Sequence, residues 1–472
     1  MQNAHSSRLV QITSCAAITF SSIIGCTNVN KPLNPATTHL ENRKPNQTRA
    51  GTFTAVTSIS ASSSEGPLAP ATTTQPVPST ITDNDGYFVG IAISGGGSRS
   101  ANFAAAALFQ LQELKLLQHV DYISSVSGGS ITAAYYCSAP DEAWNPKEVE
   151  KRFTHSFASD LLTQTLLPWN VVGMTVSHLD RSDLLANTFR NNLFTHHGKE
   201  MKFRDLREDR PRLIVNATDL QSGRPFQFSN EMFDRLNSDL ADYPLAYAVA
   251  ASSSVPVLLH HVTLRDYSTT YKQYRHLVDG GVTDNLGIQS LVSLFENQSE
   301  SAANSGQPLP YPNGAIFIVI DAKTQFDAAL SERGDISLID SLKFGAGLSS
   351  TVLINRASSA TLADMIVKHA ADDTSAKDLR NLIRTLDETG LMQTKDTRGQ
   401  DIRVVHIALL QTSKLSNVPF QSFGDSVNNI ATYFNIEQTE AYHLYQAADL
   451  IIEDLFKEEL TDIVQDLEAA QK

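Results

Sequence analysis

The sequence predicts an α/β protein whose mostly parallel central sheet is covered by helices on both faces. Short, almost continuous apolar runs alternate along the chain with segments of helical composition, as strands and crossover helices do in such folds. Two of these runs lead directly into glycine-rich turns that open a helix. A chain of 472 residues, 41% of them hydrophobic, is long enough to bury a three-layer core.

Charge and cysteine content exclude several classes of function. The chain carries 37 Lys and Arg against 51 Asp and Glu, a net charge of −14. An acidic chain lacks the cationic footprint that nucleic-acid binding requires. Its three cysteines are too few for a disulfide framework, and no Cys/His cluster has metal-ligand spacing. No metal and no cofactor are therefore expected.

Residues 1–26 have the layout of an export signal, with a short basic start, an apolar stretch and small residues at its end. The end, Ile23-Ile24-Gly25-Cys26, resembles the lipobox of bacterial lipoproteins. That resemblance implies a lipidated Cys26 that anchors the protein to a membrane, and Thr27 in place of Asp indicates the outer membrane. An ordinary signal remains the alternative, which would make the protein periplasmic or secreted.

Residues 27–84 are rich in Ser, Thr, Pro, Asn and Gly. Such a composition cannot bury enough apolar surface to offset the entropy of ordering, so it predicts a disordered tether. The folded body is expected at residues 85–472.

The first unit of the body is a strand at Tyr87–Ile93, a glycine loop and a helix from Ser100 to Leu117. The loop contains three consecutive glycines, Gly95, Gly96 and Gly97. Glycines let the backbone approach a ligand closely, and free amides at a helix N-terminus stabilise negative charge. This charge could be a bound phosphate or the oxyanion of acyl transfer. The loop alone leaves both open.

The second unit is a strand at Val120–Val126 followed by a helix that starts at Ser130–Cys137. Between them, Ser125-Val-Ser-Gly-Gly129 nearly matches the GxSxG nucleophile elbow, with serine in the first glycine position. An elbow would present the hydroxyl of Ser127 on a strained turn. An ordinary Ser/Gly turn is the alternative. The strand–turn–helix context and the upstream glycine loop favour a nucleophile.

A serine nucleophile needs a base. The best candidate is Asp279, which follows a predicted strand at 271–278 and precedes Gly280 and Gly281. A desolvated carboxylate close to the hydroxyl is more basic than an exposed one and could act as the base. The alternative interpretation of this Asp-Gly pair is an ordinary β-turn. The histidines weighed for the same role lack a distinctive local signature, namely His119, His260, His261 and His276.

These motifs, in this order, resemble the patatin-like phospholipase family. The family has a Gly-Gly-Gly-x-Arg oxyanion loop, a GxSxG serine and an Asp-Gly-Gly motif, and works through a Ser/Asp dyad without histidine. The resemblance covers roughly 87–287. It implies a three-layer patatin-like fold and a lipid acyl hydrolase of phospholipase A or lysophospholipase type.

In this reading Ser127 forms an acyl-enzyme, Asp279 is its base and the Gly95–Gly97 amides stabilise the oxyanion. Arg99 would order the loop or attract phosphate-bearing head groups. The implied partners are a phospholipid or other acyl-ester substrate and, through the anchor, a membrane; the oligomeric state is not predicted. Ser100 and Ser125 replace family glycines. They motivate the alternative of a non-catalytic lipid- or anion-binding protein with the same fold.

The stretch 161–174 is unusually apolar and contains Trp169, which favours either buried core or a lid or surface that meets lipid. Further strands are predicted at 212–216, 315–321 and 402–408, and further helices at 336–371 and 376–389. Apolar residues at helical spacing predict an amphipathic helix over about 438–467, packed on the body.

Overall fold

The computed structural model describes residues 31–37, 85–177, 179–256, 259–324, 376–396, 398–432 and 434–472. The predicted signal segment with Cys26 and the predicted helix 336–371 lie outside the described residues. In the parts of the chain that are described, no helix is both long and apolar enough to cross a bilayer.

A mixed sheet forms the centre of the molecule. Its described strands are β1 (Tyr87–Ile93), β2 (Tyr122–Val126), β5 (Arg212–Asp219), β6 (Arg224–Gln227), β7 (Val262–Asp266), β8 (Gln273–Asp279), β9 (Gly314–Asp321), β10 (Leu391–Lys395) and β11 (Asp401–Ala408). Their order is β10-β11-β9-β1-β2-β5-β8-β7, and β6 pairs with β5. The five strands from β11 to β5 are parallel, whereas β6, β7, β8 and β10 pair antiparallel. A small hairpin of β3 (Thr195–His196) and β4 (Lys199–Glu200) lies apart.

Helices connect and flank these strands. They are α1 (Gly97–Glu113), α2 (Gly128–Ser138), α3 (Pro146–Phe153), α4 (Phe157–Leu166), α5 (Pro168–Val176), α6 (Arg181–Asn192), α7 (Asn230–Arg235), α8 (Leu245–Ser252), α9 (Ile288–Ser305), α10 (Ala376–Thr389), α11 (Phe423–Asn428), α12 (Gln438–Ile451) and α13 (Lys457–Ala470). A π-helical turn at Ile452–Phe456 joins the last two. The predicted C-terminal helix is thus α12 and α13, and its apolar face is buried.

Side chains of the central strands alternate between two cores. In β1, Val89, Ile91 and Ile93 belong to a large cluster with α1, α2, α8 and the C-terminal helices. Phe88 and Ala92 point the other way, into a smaller cluster with α9 and α10. A strand buried on both faces needs an almost continuous apolar sequence. The sequence of β1 is of this kind, and it predicted the strand. The predicted three-layer α/β fold is confirmed.

β5 brings two distant parts of the chain together. Its Asn216 pairs with Val126, the last residue of β2, and the next residue, Ala217, pairs with Asp279, the last residue of β8. β6 pairs with both Asn216 and Ala217, so it occupies the opposite edge of β5. The ends of β2 and β8 therefore meet on adjacent residues of one strand edge, although they are far apart in sequence.

Residues 34–37 contact the body, although they fall within the segment 27–84 predicted as a disordered tether. The Asn34 side chain accepts from the Arg265 amide and donates to the Arg265 carbonyl, both at 2.9 Å. Arg265 lies on β7, the outermost strand. Ala36 bridges to Ser238. The tether is docked at this point because an asparagine amide can pair with an open strand edge as a backbone amide would.

Candidate active site

Ser127 occupies the turn between β2 and α2. It has φ 50° and ψ −124°, a conformation with positive φ that costs a residue with a side chain about 1–3 kcal/mol. Its amide donates to Ser252 Oγ at 2.8 Å, and Ser252 in turn donates to the Asn216 carbonyl at 2.6 Å. The surrounding hydrogen bonds hold the strained turn that the elbow motif predicts.

The hydroxyl of Ser127 donates to Asp279 Oδ2 at 2.8 Å. The other carboxylate oxygen, Oδ1, accepts from the Gly281 amide at 2.8 Å. Burial raises the pKa of Asp279 to about 6, and the hydrogen bonds from Gly281 and Ser127 oppose that rise. Asp279 is only 1% exposed. The carboxyl group is thus fixed against the hydroxyl and is more basic than an exposed aspartate.

The glycine loop lies directly against this pair. A Cβ on Gly128, the residue after Ser127, would overlap the carbonyl oxygen of Gly97. A Cβ on Gly95 would lie 3.3 Å from the Cβ of Ser127. Only glycine permits this approach of the loop and the elbow. The N-termini of α1, at Gly97, and of α2, at Gly128, therefore converge beside the Ser127 hydroxyl.

The three loop glycines differ in their hydrogen bonds. The Gly95 amide donates to the Asn285 carbonyl at 2.9 Å. Among the described residues, the amides of Gly96 and Gly97 have no acceptor. Gly95, predicted as one of three oxyanion donors, is therefore already committed to a backbone acceptor, and Gly96 and Gly97 keep available amides.

Arg99 ties the loop to two other parts of the chain. Its Nε donates to the Ala322 carbonyl at 2.9 Å, and Nη1 donates to the Ile430 carbonyl at 2.7 Å. The side chain is 7% exposed. Of the two roles predicted for Arg99, these contacts fit the ordering of the loop, because the guanidinium is directed at backbone carbonyls instead of solvent.

The two serines that replace family glycines both have internal partners. Ser100 Oγ donates to the Ser94 carbonyl at 2.5 Å, and Ser125 Oγ donates to the Ile214 carbonyl at 3.2 Å. Both side chains are buried. The site accommodates these two hydroxyls without an unsatisfied polar group.

Three of the four histidines weighed as a base contact other side chains through their rings. His119 contacts Asp85 and Gln471. His276 packs edge-on against His261, with ring centroids 4.4 Å apart. The hydroxyl of Ser127 is bonded to Asp279 and to none of these rings.

Sequence reasoning missed three residues that shape the site: Ser252, Asn216 and Asn285. Asn216 donates to the Ser125 carbonyl at 2.9 Å and accepts from Ser290 at 2.5 Å. Asn285 is 5% exposed, and its Oδ1 is buried without a hydrogen-bond partner among the described residues. The stretches 213–224 and 246–256, which contain Asn216 and Ser252, also resemble the family in sequence, but the resemblance assigned these two residues no role. Asn285 follows the Asp-Gly-Gly motif closely.

Comparison with known proteins locates the similarity in this region. Residues 91–292 match the family model described as patatin-like phospholipase. No curated protein matches the sequence.

Solved structures that resemble the chain include human GIVD cytosolic phospholipase A2, at 14% identity and a TM-score of 0.44, over 82% of this chain and 63% of that one. VipD from Legionella pneumophila matches at 12% identity and a TM-score of 0.30, over 80% and 66% of the two chains. The type III effector protein ExoU matches at 12% identity and a TM-score of 0.21, over 76% and 93%. The chain thus spans less than two thirds of the human enzyme's length. Residues 91–292, less than half of the chain, are similar to the patatin-like phospholipase family, and the three-layer α/β architecture is that of the patatin fold.

Proposed function

We propose that the protein is a lipid acyl hydrolase that cleaves carboxylic esters through Ser127 and Asp279. The observation that carries this proposal is the 2.8 Å hydrogen bond from the Ser127 hydroxyl to a buried carboxylate. A serine on a strained turn, a base beside it and free amides facing the same point are the parts that acyl transfer needs.

In the first half-reaction Asp279 takes the hydroxyl proton as Ser127 attacks the ester carbonyl. The tetrahedral intermediate collapses to an acyl-enzyme when the proton passes from Asp279 to the departing alcohol oxygen. In the second half-reaction Asp279 takes a proton from water as the water attacks the acyl carbon. The second tetrahedral intermediate then releases the fatty acid when Asp279 returns that proton to Ser127 Oγ. One residue serves as base and then as acid in each half because its pKa of about 6 is close to neutral pH.

The oxyanion is stabilised by amides at the converging helix N-termini. Gly96 and Gly97 supply two donors, and Gly128, the first residue of α2, supplies a third. Losing one such donor typically raises the barrier by about 3 kcal/mol. The positive ends of the α1 and α2 dipoles favour the same negative charge.

The similarity of residues 91–292 to the patatin-like phospholipase family supports a phospholipid or related acyl ester as the proposed substrate. The alternative of a non-catalytic binding protein rested on Ser100 and Ser125. Because both hydroxyls bond within the fold, neither replacement obstructs the site. The geometry supports the hydrolase better.

The test compares hydrolysis of a short-chain nitrophenyl ester and of phospholipid by the wild type, Ser127→Ala and Asp279→Asn. We expect both variants to lose at least about a thousandfold in kcat. Ser413→Ala and Asp462→Asn, at exposed positions, serve as matched controls and should retain activity. A fluorophosphonate should label the wild type at Ser127, as read by peptide mass spectrometry. Equal rates in all five proteins would refute the assignment.

For localisation, the sequence supports a separate proposal, that Cys26 is lipidated and anchors the protein to a bacterial outer membrane. Detergent-phase partitioning of protein made in a bacterial host tests it. The wild type and Cys15→Ser should enter the detergent phase, whereas Cys26→Ser should stay in the aqueous phase. Aqueous partitioning of the wild type would contradict the proposal.

A further inference from the structure

Four exposed apolar side chains cluster at the junction of α4 and α5. They are Leu166, Trp169, Val171 and Val172, which we call the α4–α5 face. Leu166 is 62% exposed and Trp169 is 67% exposed. Of the eleven large hydrophobic side chains that are exposed in the described chain, four fall within these seven consecutive positions. Such clustering distinguishes an interaction surface from scattered exposed residues.

The α4–α5 face is exposed to solvent, while other residues of the same segment pack against the core. On the other side of α5, Met174 packs against the main core, and so does Leu179 just beyond the helix. Trp169 and Val172 are three residues apart and therefore share one side of α5. The sequence of 161–174 predicts either buried core or a lid or surface that meets lipid. Leu161 and Thr165 are buried, so part of this stretch belongs to the core and part is exposed.

Hydrogen bonds connect α6, the helix that follows α5, with the active site. α5 leads into α6, whose first turn contains Ser182. The hydroxyl of Ser182 lies 3.3 Å from Ser254 Oγ, and the Ser254 carbonyl accepts from the Asp279 amide at 2.9 Å. Two hydrogen bonds therefore connect the start of α6 with the backbone of the proposed base.

Charge identifies the partner. Residues 161–177 contain no Asp, Glu, Lys or Arg, in a chain of which 19% is charged. A surface that binds anionic lipid would need lysine and arginine, and the net charge of −14 opposes an anionic membrane. Tryptophan beside aliphatic side chains is typical of residues that enter the boundary between head groups and acyl chains.

We propose that the α4–α5 face adsorbs the protein to a zwitterionic phospholipid bilayer and so brings the active site to its lipid substrate. This inference rests on the proposed lipid acyl hydrolase, since it assigns to that same site the surface through which substrate is reached. Adsorption is driven by burial of apolar surface, so it is insensitive to salt.

Binding is measured with Ser127→Ala protein, which leaves the vesicles chemically intact. The probe is a vesicle of pure phosphatidylcholine, and the reporter is tryptophan fluorescence. The chain has two tryptophans, and Trp144 is only 5% exposed, so a blue shift reports Trp169. We expect a blue shift on adding vesicles, undiminished in high salt.

A double variant, Trp169→Ser with Val172→Ser, should bind the vesicles at least about tenfold more weakly in a sedimentation assay. Tyr442→Ser, at another exposed aromatic of 57% exposure, is the matched control and should bind as its parent does. Thermal melting verifies that each variant is folded. All proteins share one N-terminal segment, so differences between them report the face.

Three results would overturn the inference. These are equal binding by the double variant, binding that requires anionic lipid, and a protein dimer that the double variant abolishes while vesicle binding is absent. Binding as expected without any ester hydrolysis by the wild type would refute the proposed function instead and leave the bilayer contact standing.

Discussion

Asp279 combines near-complete burial with a hydrogen bond to Ser127, and its protonation state should govern the reaction. Burial raises its pKa to about 6, and only the ionised carboxylate can accept the hydroxyl proton. We therefore expect kcat/KM to be level above pH 7 and to fall about tenfold per unit well below pH 6. A pH profile with a soluble nitrophenyl ester measures this. A rate that is unchanged down to pH 5 would contradict it.

The same burial predicts that Asp279 destabilises the fold at neutral pH. Its pKa rises from 3.8 to about 6 on folding, so the folded state binds the proton more tightly than the unfolded state. The stability associated with this proton is complete below pH 3.8 and is lost as the pH rises through about 6. Asp279→Asn should therefore gain stability on the order of 3 kcal/mol at pH 8 relative to the wild type.

Urea unfolding at pH 4 and pH 8 measures that gain. The advantage of Asp279→Asn should shrink strongly at pH 4, and the exposed variant Asp462→Asn is measured beside it as the matched control. An advantage that grows towards acid would have the wrong sign and would exclude a raised pKa as its cause.

At the residue scale, sequence motifs could predict Ser127 and Asp279 because each sits in a local pattern with its own chemistry. The role of Ser252 could not be predicted, since its contact with the Ser127 amide spans 125 positions and is seen only in the folded chain. The hydrogen bond from the Gly95 amide to the Asn285 carbonyl could not be predicted either. Only the folded chain shows which amides of the glycine loop lack an acceptor.

At the level of elements, the glycine loop and the elbow can contact each other only because residue 128 is a glycine. A methyl group there would overlap the Gly97 carbonyl oxygen, which cannot move without shifting the start of α1. We expect Gly128→Ala to cost several kcal/mol of stability and to remove most of the activity. Thermal melting and ester hydrolysis measure both effects.

Gly424→Ala is the matched control, since a Cβ there would meet only the Thr412 carbonyl oxygen at 3.8 Å. It should melt close to the wild type or slightly above it, because alanine is the better helix former in α11. If Gly128→Ala were equally harmless, the loop and the elbow could not be in the contact described.

Elements with strong local signals could be predicted from the sequence. The predicted strand Tyr87–Ile93 has the bounds of β1, and the predicted helix at 376–389 has those of α10. β6 and β7 were missed because they are short and rich in polar or charged residues, so their strand structure comes from pairing with β5 and β8. The π-helical turn inside the C-terminal helix had no signal in the apolar spacing.

For the whole molecule, Asn34 closes the β7 edge of the sheet. Its side chain is 1% exposed and bonds to both backbone groups of Arg265. Asn34→Ala leaves a partly buried amide and carbonyl of Arg265 without these partners, which we expect to cost about 1 kcal/mol or more. We expect a lower melting temperature and faster proteolysis within residues 31–37. Lys31→Ala, at an exposed position, should behave as the wild type.

The layered architecture could be predicted from alternation of strands and helices, but the path of the sheet could not. A parallel order would be the simplest extension of the first two units. Instead β8 runs antiparallel and meets the end of β2 on one edge of β5. That arrangement, which depends on pairing between distant segments, is what places Asp279 beside Ser127.

The docking of Asn34 also changes what a lipid on Cys26 would do. Only residues 27–33 would lie between that lipid and Asn34, a reach of at most about 28 Å at ~3.5 Å per residue. The body would then be held close to the membrane through the β7 edge of its sheet. The distance between the lipid and the body would be limited by residues 27–33 and not by the full length of the segment 27–84.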